Sequence, residues 1–340
     1  MRTNAAPDFQ SSLTRHNRKS SVFSRVVCLV AATFGFILCP AAAQDWPQRP
    51  IMLVLPYPPG GTIDFQARIM GARLSEKLGK PVVVENKAGA SGIVATEYVI
   101  HAKPDGYTLY FASSAQTTSV PMTEKVDYQL SDLTLISASG NGPMILAVSA
   151  NLPVHTLKEF IDYAKANPGK LTYSSAGTGS VAHLAGALFV ARAGLQALHV
   201  PFRGAGPGAA ALISGQVDFD FGNSADLLPH EDDEHIRIIA VSTPQRMPQL
   251  PNVPAVSEVI PGFTITAWQG FLGPAHMPQP IVDRLAQEIS SIAKEPDIVA
   301  KLAAAGVEAT STTPAQFRDI IQNEQGIYAE AVQAAGLKSQ

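Results

Sequence analysis

Short apolar runs alternate with helical patterns along most of the chain, and this alternation constrains the fold more than any other feature. Residues 51–56 are continuously apolar, as in a strand buried on both faces, and residues 63–78 then show amphipathic helical spacing. The same order recurs from residue 81 to 112 and from residue 171 to 241. Strands alternating with helices predict an α/β protein with mainly parallel sheets and ligand sites at the carboxyl ends of strands.

The individual segments extend this pattern into two lobes. Strands are predicted at residues 51–56, 81–85, 108–112, 133–137, 144–149, 171–174, 197–201, 217–221 and 236–241. Helices are predicted at residues 63–78, 93–102, 157–166, 181–193, 207–214, 281–293, 298–305 and 314–334. A proline-rich segment, residues 244–261, predicts extended surface chain. Because so many strands exceed one small sheet, we expect one lobe from residues 44–145 plus 243–340 and a second from residues 146–242.

The first 43 residues have the three parts of a secretory signal peptide. A basic stretch precedes the apolar segment Val26–Cys39, which is followed by Ala41-Ala42-Ala43. This apolar segment is shorter than the roughly 20 residues that span a bilayer, which disfavours a transmembrane anchor. The sequence therefore predicts export, with cleavage after Ala43.

The predicted mature chain is acidic and free of cysteine. The whole sequence has 25 Lys and Arg against 28 Asp and Glu; residues 1–43 hold five of the basic and one of the acidic residues, which leaves 20 against 27. This balance argues against nucleic acid and anionic membrane surfaces as partners. Both cysteines, Cys28 and Cys39, lie in the predicted leader. We therefore expect no disulfide and a core that holds the protein together by packing.

Three junctions between a strand and a helix are rich in Gly, Ser and Thr. The first, residues 56–64, contains Gly60 and Gly61, which let the backbone bend sharply and bring N–H groups close to a ligand at a helix N-terminus. It also contains Asp64. An ordinary tight turn, with Asp64 interacting with the helix dipole, is the alternative interpretation.

The second junction, residues 173–180, opens a G-x-G-x-x-A motif similar to a dinucleotide fingerprint. The acidic residue expected about 20 positions later is missing, so nucleotide binding is disfavoured. We expect hydroxyl groups such as those of Ser175 and Thr178, with helix N–H groups, to hold a carboxylate; a serine-rich helix cap is the alternative. His183 falls in the first turn after this junction, where it binds ligand or has a capping or packing role.

The third junction, residues 200–208, contains Arg203. Its planar guanidinium group can meet an anionic ligand, and it can equally be a solvated loop side chain.

Signatures of catalysis and of metal binding are weak. No G-x-S-x-G motif is present. His230 and His235 flank an acidic run but are five residues apart, which on a helix places them about 140° apart instead of on the shared face that a zinc site needs. We expect no cofactor, no metal and no enzyme activity. An exported serine-type hydrolase that uses Ser175 or Ser180 with His183 is the alternative.

Eight short motifs follow one another from about Trp46 to Gly336. They are Pro47-x-Arg-Pro-Ile51, Pro59-Gly-Gly-x-x-Asp64-x-x-Ala-Arg68, Pro81-Val-Val-Val-Glu-Asn-Lys-x-Gly-Ala-x-Gly92, Lys103-Pro-Asp-Gly-Tyr-Thr-Leu109, Tyr173-Ser-Ser-x-Gly-x-Gly-Ser-x-x-His-Leu184, Val200-Pro-Phe-Arg-Gly204, Gly215-Gln-Val-Asp218 and Trp268-x-Gly270. Any one of them is weak, but the ordered set is specific. It resembles the substrate-binding proteins of tripartite tricarboxylate transporters, also called Bug proteins.

The resemblance implies a two-lobed periplasmic-binding-protein fold similar to type II. Each lobe is then a mainly parallel sheet flanked by helices, and the cleft between the lobes closes on a small organic acid. The ligand carboxylate is expected against the first Gly-Gly loop and the Ser/Thr loop of the second lobe, partly through water. The expected ligand-binding residues are Gly60, Gly61, Thr62, Asp64, Ser175, Thr178, His183, Arg203 and Asp220.

The resemblance also implies a periplasmic location and delivery of the ligand to membrane transporter subunits. A membrane sensor that receives the ligand is the alternative partner. Two segments depart from the family pattern. Tyr57-Pro58-Pro59 is bulkier and stiffer than the smaller residues common there in the family, and residues 219–222 differ from the family at a position near the distal cleft. Both bear on which carboxylate is bound, so its identity stays open.

Overall fold

The computed structural model describes residues 46–337, and the predicted signal peptide lies outside them. From Arg49 onward the chain clusters as one compact unit. The strands are β1 Ile51–Leu55, β2 Val82–Asn86, β3 Thr108–Ser113, β4 Leu133–Ser149, β5 Leu171–Ser175, β6 Ala197–Pro201, β7 Phe219–Asn223, β8 Ile236–Val241, β9 Thr266–Pro274 and β10 Glu308–Ala309. The helices are α1 Thr62–Leu78, α2 Ile93–Ile100, α3 Val120–Thr123, α4 Leu157–Ala166, α5 Val181–Arg192, α6 Ala205–Ile213, α7 Ser224–Leu227, α8 Gln279–Ile292, α9 Pro296–Ala304 and α10 Pro314–Ala334.

The helix boundaries follow from local sequence signals. Helix α1 ends at Gly79, whose φ of 67° is the left-handed conformation that glycine adopts without steric cost. Helix α4 begins after Thr156, whose hydroxyl oxygen accepts a hydrogen bond from the Glu159 N–H, and α10 begins after Thr313, which forms a reciprocal capping box with Gln316. No helix in the described part of the chain is both long enough and apolar enough to cross a bilayer.

The sheet is parallel at its two sides and antiparallel in its centre. The strand order is β2-β1-β3-β9-β4-β7-β5-β6, with β8 and β10 also paired to β4. Strand β1 runs parallel to β2 and β3, and β5 runs parallel to β6 and β7. In contrast, β9 is antiparallel to both β3 and β4, and β4 is antiparallel to β7 and β8. The predicted mainly parallel pairing therefore describes the outer strands and is wrong for the centre.

Strand β4 is one strand of 17 residues where two separate strands were predicted. Its first part, Leu133–Pro143, pairs with β9, and its last part, Met144–Ser149, pairs with β7 and β8. The residues between the two predicted strands have the glycine and proline content of a turn. Pairing with β9 nevertheless satisfies their backbone groups and keeps them extended. Strand β9 itself was not predicted.

Buried apolar side chains form separate clusters on the two parts of β4. One cluster contains Val54, Trp268 and Phe317, and another contains Leu188 and Phe219. The Trp268 and Phe317 rings meet edge to face with centroids 4.7 Å apart.

Two segments assigned to the first lobe pack with residues of the second. The proline-rich segment forms no strand, but Met247, Leu250 and Val256 are buried, so its prediction as surface chain is wrong for these side chains. Phe263 belongs to the cluster of Phe219, and so does Tyr328 near the end of α10. The division at residues 145/146 and 242/243 stays a prediction.

Gly270 in β9 lies where no side chain fits, which makes it a test of the central pairing. A Cβ atom there would lie 2.8 Å from both the Phe317 ring and the Ser137 carbonyl oxygen. We expect Gly270→Ala to lower the free energy of unfolding by about 1–3 kcal/mol, because the strand and the ring must move apart. Urea denaturation measures this change.

Gly326 in α10 provides the matched control, since a Cβ atom there meets no other atom within 4 Å. Gly326→Ala is expected to stabilise the protein by about 0.5–1 kcal/mol through helix propensity. Equal stability of the two variants would contradict the close packing described for β9.

Candidate functional site

The carboxyl ends of six strands surround one cavity of about 680 Å³. The loops after β1, β2 and β3 line one side, and the loops after β5, β6 and β7 line the other. The floor includes Gly142 of β4 and Ala267 and Gln269 of β9. A cavity at the carboxyl ends of strands is where an α/β sheet places its ligand.

Four helices begin at this cavity with backbone N–H groups in their first turns. Helices α1, α2 and α6 follow Gly61, Gly92 and Gly204, and none of these has a side-chain cap. Helix α5 follows Ser180, whose hydroxyl oxygen accepts a hydrogen bond from the His183 N–H at 3.2 Å. The first N–H groups of a helix have no partner inside it, and the helix dipole adds partial positive charge there. The cavity therefore has several donors for an anion.

The loop before α2 holds an unusual backbone path. Gly89, Ala90, Ser91 and Gly92 all have positive φ, at 148°, 45°, 55° and 92°. A Cβ atom at Gly92 would lie 2.7 Å from Nε2 of Gln116, so this position requires glycine for space as well as for conformation. Such a path is maintained only where the surrounding structure holds it, and here it lines the cavity.

The charged side chains along the cavity are all acidic. They are Asp64, Glu124 and Asp226, and no Lys, Arg or His among the described residues lines it. Any anion bound here must therefore be held by neutral donors, namely backbone N–H groups, hydroxyls and side-chain amides.

Both carboxylate oxygens of Asp64 accept hydrogen bonds from other groups of the protein. One oxygen accepts hydrogen bonds from the Gly60 N–H at 3.0 Å and from Nε of Arg68 at 2.9 Å. The other accepts from Nη2 of Arg68 and Nδ2 of Asn86, both at 2.9 Å. The hydrogen bonds from Arg68, with smaller contributions from Asn86 and Gly60, lower the pKa of Asp64 to about 2 against the cost of burial. Asp64 thus holds the Gly60-Gly61 loop in place as an ionised, paired carboxylate.

Ser175 and His183 flank the loop after β5, and neither side chain lines the cavity. Ser175 is buried, and its Oγ atom lies 2.7 Å from Nε2 of His199. Nδ1 of His183 accepts a hydrogen bond from the Gly179 N–H at 3.1 Å, and the rings of His183 and His199 stack with centroids 3.7 Å apart. Burial, with a smaller effect of His199, lowers the pKa of His183 to about 4, so the ring is neutral at neutral pH. These groups fix the shape of the loop.

The arrangement required by the hydrolase alternative is absent from the described residues. Ser180 accepts a hydrogen bond from the backbone of His183 and caps the helix, and Ser175 pairs with His199 instead of His183. Since Ser175 does not line the cavity, its hydroxyl does not face a bound molecule there.

The nine predicted binding residues separate into three groups. Gly61, Thr62, Asp64 and Thr178 line the cavity. Gly60, Ser175 and His183 do not line the cavity but are hydrogen-bonded to residues that do. The Gly60 N–H donates to Asp64, Oγ of Ser175 accepts from the Gly177 N–H at 3.1 Å, and Nδ1 of His183 accepts from the Gly179 N–H.

Arg203 and Asp220 form the third group, since neither lines the cavity. Arg203 is exposed, next to the lining residue Gly204. Asp220 is buried in β7 opposite Ser174 of β5, and its Oδ1 atom has no hydrogen-bond partner. Burial, opposed by Ser174, raises the pKa of Asp220 to about 7.

A polar segment after β3 was missed by the sequence analysis. Residues 113–119 are almost all buried, and Ser113, Gln116 and Ser119 line the cavity. The hydroxyl of Tyr57 lies 2.7 Å from Oγ of Ser113 and donates a hydrogen bond to Oε1 of Gln116 at 3.3 Å. The signal available in the sequence was the run of Ser, Gln and Thr directly after a strand.

This segment is also anchored to the C-terminal helix. Glu324 of α10 accepts hydrogen bonds from the Thr118 hydroxyl and from Nε1 of Trp268, the latter at 3.0 Å. Burial raises the pKa of Glu324 to about 7, with both hydrogen bonds opposing the shift. Trp268, singled out by the motif analysis, therefore supports the cavity wall from behind.

No group of three or more His, Cys, Asp or Glu side chains within residues 46–337 could hold a metal ion. The acidic run between His230 and His235 instead contains a local contact, with Nδ1 of His235 2.8 Å from Oδ1 of Asp233.

Comparison with known proteins places the chain among transport receptors. Residues 66–337 match the family described as "Tripartite tricarboxylate transporter family receptor". The chain is 32% identical to the protein BugT of Bordetella pertussis over 92% of this chain and 97% of that one. Among solved structures, it is similar to "R. palustris Rpa4515 with adipate", with a TM-score of 0.77 and 30% identity over 86% of this chain and 99% of that one. It is also similar to "periplasmic binding protein BugD", with a TM-score of 0.73 and 28% identity over 87% and 100% of the two chains.

The paired state of Asp64 predicts a specific dependence of stability on pH. Because its pKa is about 2 in the folded protein and ordinarily 3.8, the ionised pair stabilises the fold above pH 4 and this contribution is lost as the pH falls towards 2. Asp64→Asn is expected to lower the free energy of unfolding by about 2 kcal/mol at neutral pH. The difference between the two proteins should shrink between pH 4 and pH 2.

Denaturant titrations at several pH values measure this difference. Asp319→Asn, at an exposed position of α10, is the control and should change stability little at any pH. A stability difference between wild type and Asp64→Asn that stays constant down to pH 2 would show that the charge of Asp64 is not what stabilises the loop.

Proposed function

The chain belongs to the tripartite tricarboxylate transporter receptor family, and we propose that it is a periplasmic solute-binding protein that captures a small organic carboxylate and delivers it to membrane transporter subunits. Capture proceeds without chemical conversion. The similar structure with adipate bound and the similar periplasmic binding protein support this assignment.

One observation of the structure carries the proposal: four helix N-termini meet at a cavity that no cationic side chain from residues 46–337 lines. Each such terminus stabilises a nearby anion by about 0.3–1 kcal/mol, and up to about 2 kcal/mol in partly buried geometry. Hydrogen bonds from N–H or O–H groups to a charged carboxylate add about 1.5–3 kcal/mol each. Together these donors suffice for capture without a salt bridge.

We propose that a carboxylate binds between the start of α1 and the start of α5. Gly61 and Thr62 supply N–H groups from one side, and Thr178 supplies its hydroxyl from the other. The Thr178 side chain is exposed and makes no hydrogen bond to the described part of the protein, which leaves it available. Asp64, Gly60, Ser175 and His183 position these loops. Arg203 and Asp220 stay predictions for the rim and the distal end.

Closure of the cleft is proposed as the capture step. Strand β4 crosses between the two core clusters at Pro143–Met144, where the Met144 N–H donates to Oγ of Ser242 and the Ser242 N–H donates to the Met144 carbonyl, both at 2.9 Å. The alternation of strands and helices predicts two crossings between the lobes, near residues 142–150 and near residues 238–246. Burial of Phe263 and Ile265 in the second cluster favours a crossing near residue 265.

The two predicted alternatives differ from this proposal in what a purified protein does. Ester or amide turnover would support the hydrolase, whose Ser175 is held away from the cavity. Binding to a membrane sensor in place of transporter subunits would change the partner and leave capture unaffected.

Two substitutions test the proposed carboxylate position. Thr178→Ala is expected to weaken binding about tenfold to a hundredfold, because it removes a hydrogen bond to a charged group. Gly61→Val is expected to weaken binding more, because Gly61 lines the cavity and an added Cβ atom there has open space around it, so the bulkier side chain competes with the ligand for that space. Calorimetric titration with adipate, or with the tightest ligand from a carboxylate screen, measures both changes.

Unchanged melting temperatures serve as the control for folding in both variants. Wild-type affinity in both variants would show that the carboxylate does not bind between the starts of α1 and α5.

Closure predicts a smaller radius of gyration when ligand is bound. Small-angle scattering with and without saturating ligand should show compaction, as hinge closure requires. An unchanged radius at proven saturation would contradict a hinge between lobes.

Export is proposed to use residues 1–43 as a cleaved leader. N-terminal sequencing of the protein recovered from the periplasm is expected to begin at Gln44, within a residue or two. Recovery of the mature protein with residues 1–43 attached would contradict cleavage.

A further inference from the structure

The hydrogen-bonding groups that line the cavity differ between its two ends. At the start of α1 and α5 the free groups are donors: first-turn N–H groups and the hydroxyls of Thr62 and Thr178. Ser180 accepts a hydrogen bond from the His183 N–H, so its own hydroxyl proton remains available. This end suits a carboxylate.

The floor of the cavity presents acceptors instead. Gln269 is 5% exposed and lines the cavity; its Nε2 atom donates to the Ala267 carbonyl at 2.8 Å, and its buried Oε1 atom has no hydrogen-bond partner. An unpartnered acceptor in a buried wall is costly unless a ligand or water donates to it. The amide of Gln269 therefore indicates a donor within the cavity.

Asp226 lies in the adjoining part of the wall. Asn223, which precedes α7, pairs with Met144 two residues along β4 from Gly142, and Gly142 pairs with Ala267. Asp226 is therefore close to the floor that holds Gln269. Its Oδ2 atom accepts a hydrogen bond from Nδ2 of Asn223 at 3.1 Å, and neither oxygen forms an ion pair with the described residues.

Other groups near Asp226 add to the negative and acceptor character. Asp220 lies behind it, and the two acids disfavour each other's ionisation. The hydroxyl of Ser224 donates to the Gly306 carbonyl and is not available to a ligand. A second carboxylate on the ligand would meet repulsion here, whereas a protonated amino group would be attracted.

Given the proposed capture of a carboxylate, on which this inference rests, we propose that the ligand is an amino carboxylate. Its carboxylate lies against the starts of α1 and α5, and its ammonium group points towards Asp226 and Oε1 of Gln269. This arrangement pairs the partly buried carboxyl group of Asp226 and satisfies the buried amide oxygen of Gln269.

Matched pairs of acids on one carbon skeleton test the proposal. Calorimetric titration compares 2-aminoadipate with adipate, aspartate with succinate, and alanine with propionate. In at least one pair, the amino acid is expected to bind at least about tenfold more tightly than its partner, as a charged hydrogen bond implies. Malate serves as a third four-carbon acid, with a neutral hydroxyl in place of the ammonium group.

Asp226→Asn is the decisive variant, because it removes the charge and retains an oxygen that can accept from Asn223. We expect it to reduce the preference for the amino acid to about threefold or less and to strengthen binding of the acid without the amino group, since repulsion is relieved. Asp319→Asn, on the exposed face of α10, is the control and should retain the wild-type preference.

The possible results separate this inference from the proposed function. Equal or tighter binding of the acids without an amino group overturns the amino carboxylate and leaves carboxylate capture intact. Malate binding more tightly than both aspartate and succinate overturns it in favour of a neutral donor. A wild-type preference that survives in Asp226→Asn also overturns it. If neither these acids nor any other carboxylate in a broad screen binds, the proposed function fails as well.

Discussion

Backbone pairing along β4 is the constraint on which the rest of the structure depends. This strand of 17 residues is hydrogen-bonded to β7, β8, β9 and β10, and its two parts carry separate core clusters. Because the outer strands on either side run parallel, their carboxyl ends and the helices that follow them meet over the middle of β4. Gly142, in that middle part, forms part of the cavity floor. The position of the site thus follows from the pairing of β4 with β9 on one side and with β7 on the other.

The polarity of the site follows from helix termini more than from charged side chains. Uncapped helices leave first-turn N–H groups that need partners, and in α1, α2 and α6 the residue at the cap position is a glycine, which offers none. The one acid at the start of α1, Asp64, is tied to Arg68 and Asn86 and shapes the loop. A receptor built in this way can bind and release an anion without breaking a buried ion pair, whose components are costly to desolvate.

The sequence predicted most helices and the outer strands, because their apolar periodicity is local. It missed the centre of the sheet. The segment Gly140-Asn141-Gly142-Pro143 has the composition of a turn, but pairing with β9 keeps it extended, and that partner lies more than 100 residues away. For the site, Gly61, Thr62 and Thr178 could be found from glycine and hydroxyl residues between a strand and a helix. The contact of Ser175 with His199, and the acceptors at Gln269 and Asp226, depend on distant pairing that no local pattern indicates.

The central claim is that backbone N–H groups at helix N-termini hold the carboxylate. Amide ¹⁵N–¹H correlation spectra, recorded while a binding carboxylate is added, test it most directly. The account predicts the largest downfield amide-proton shifts at residues 61–64 and 178–182, and no such shifts with the methyl ester of the same acid. Binding that leaves these amides unchanged, while the largest shifts fall on residues around Arg203 outside the cavity, would contradict it.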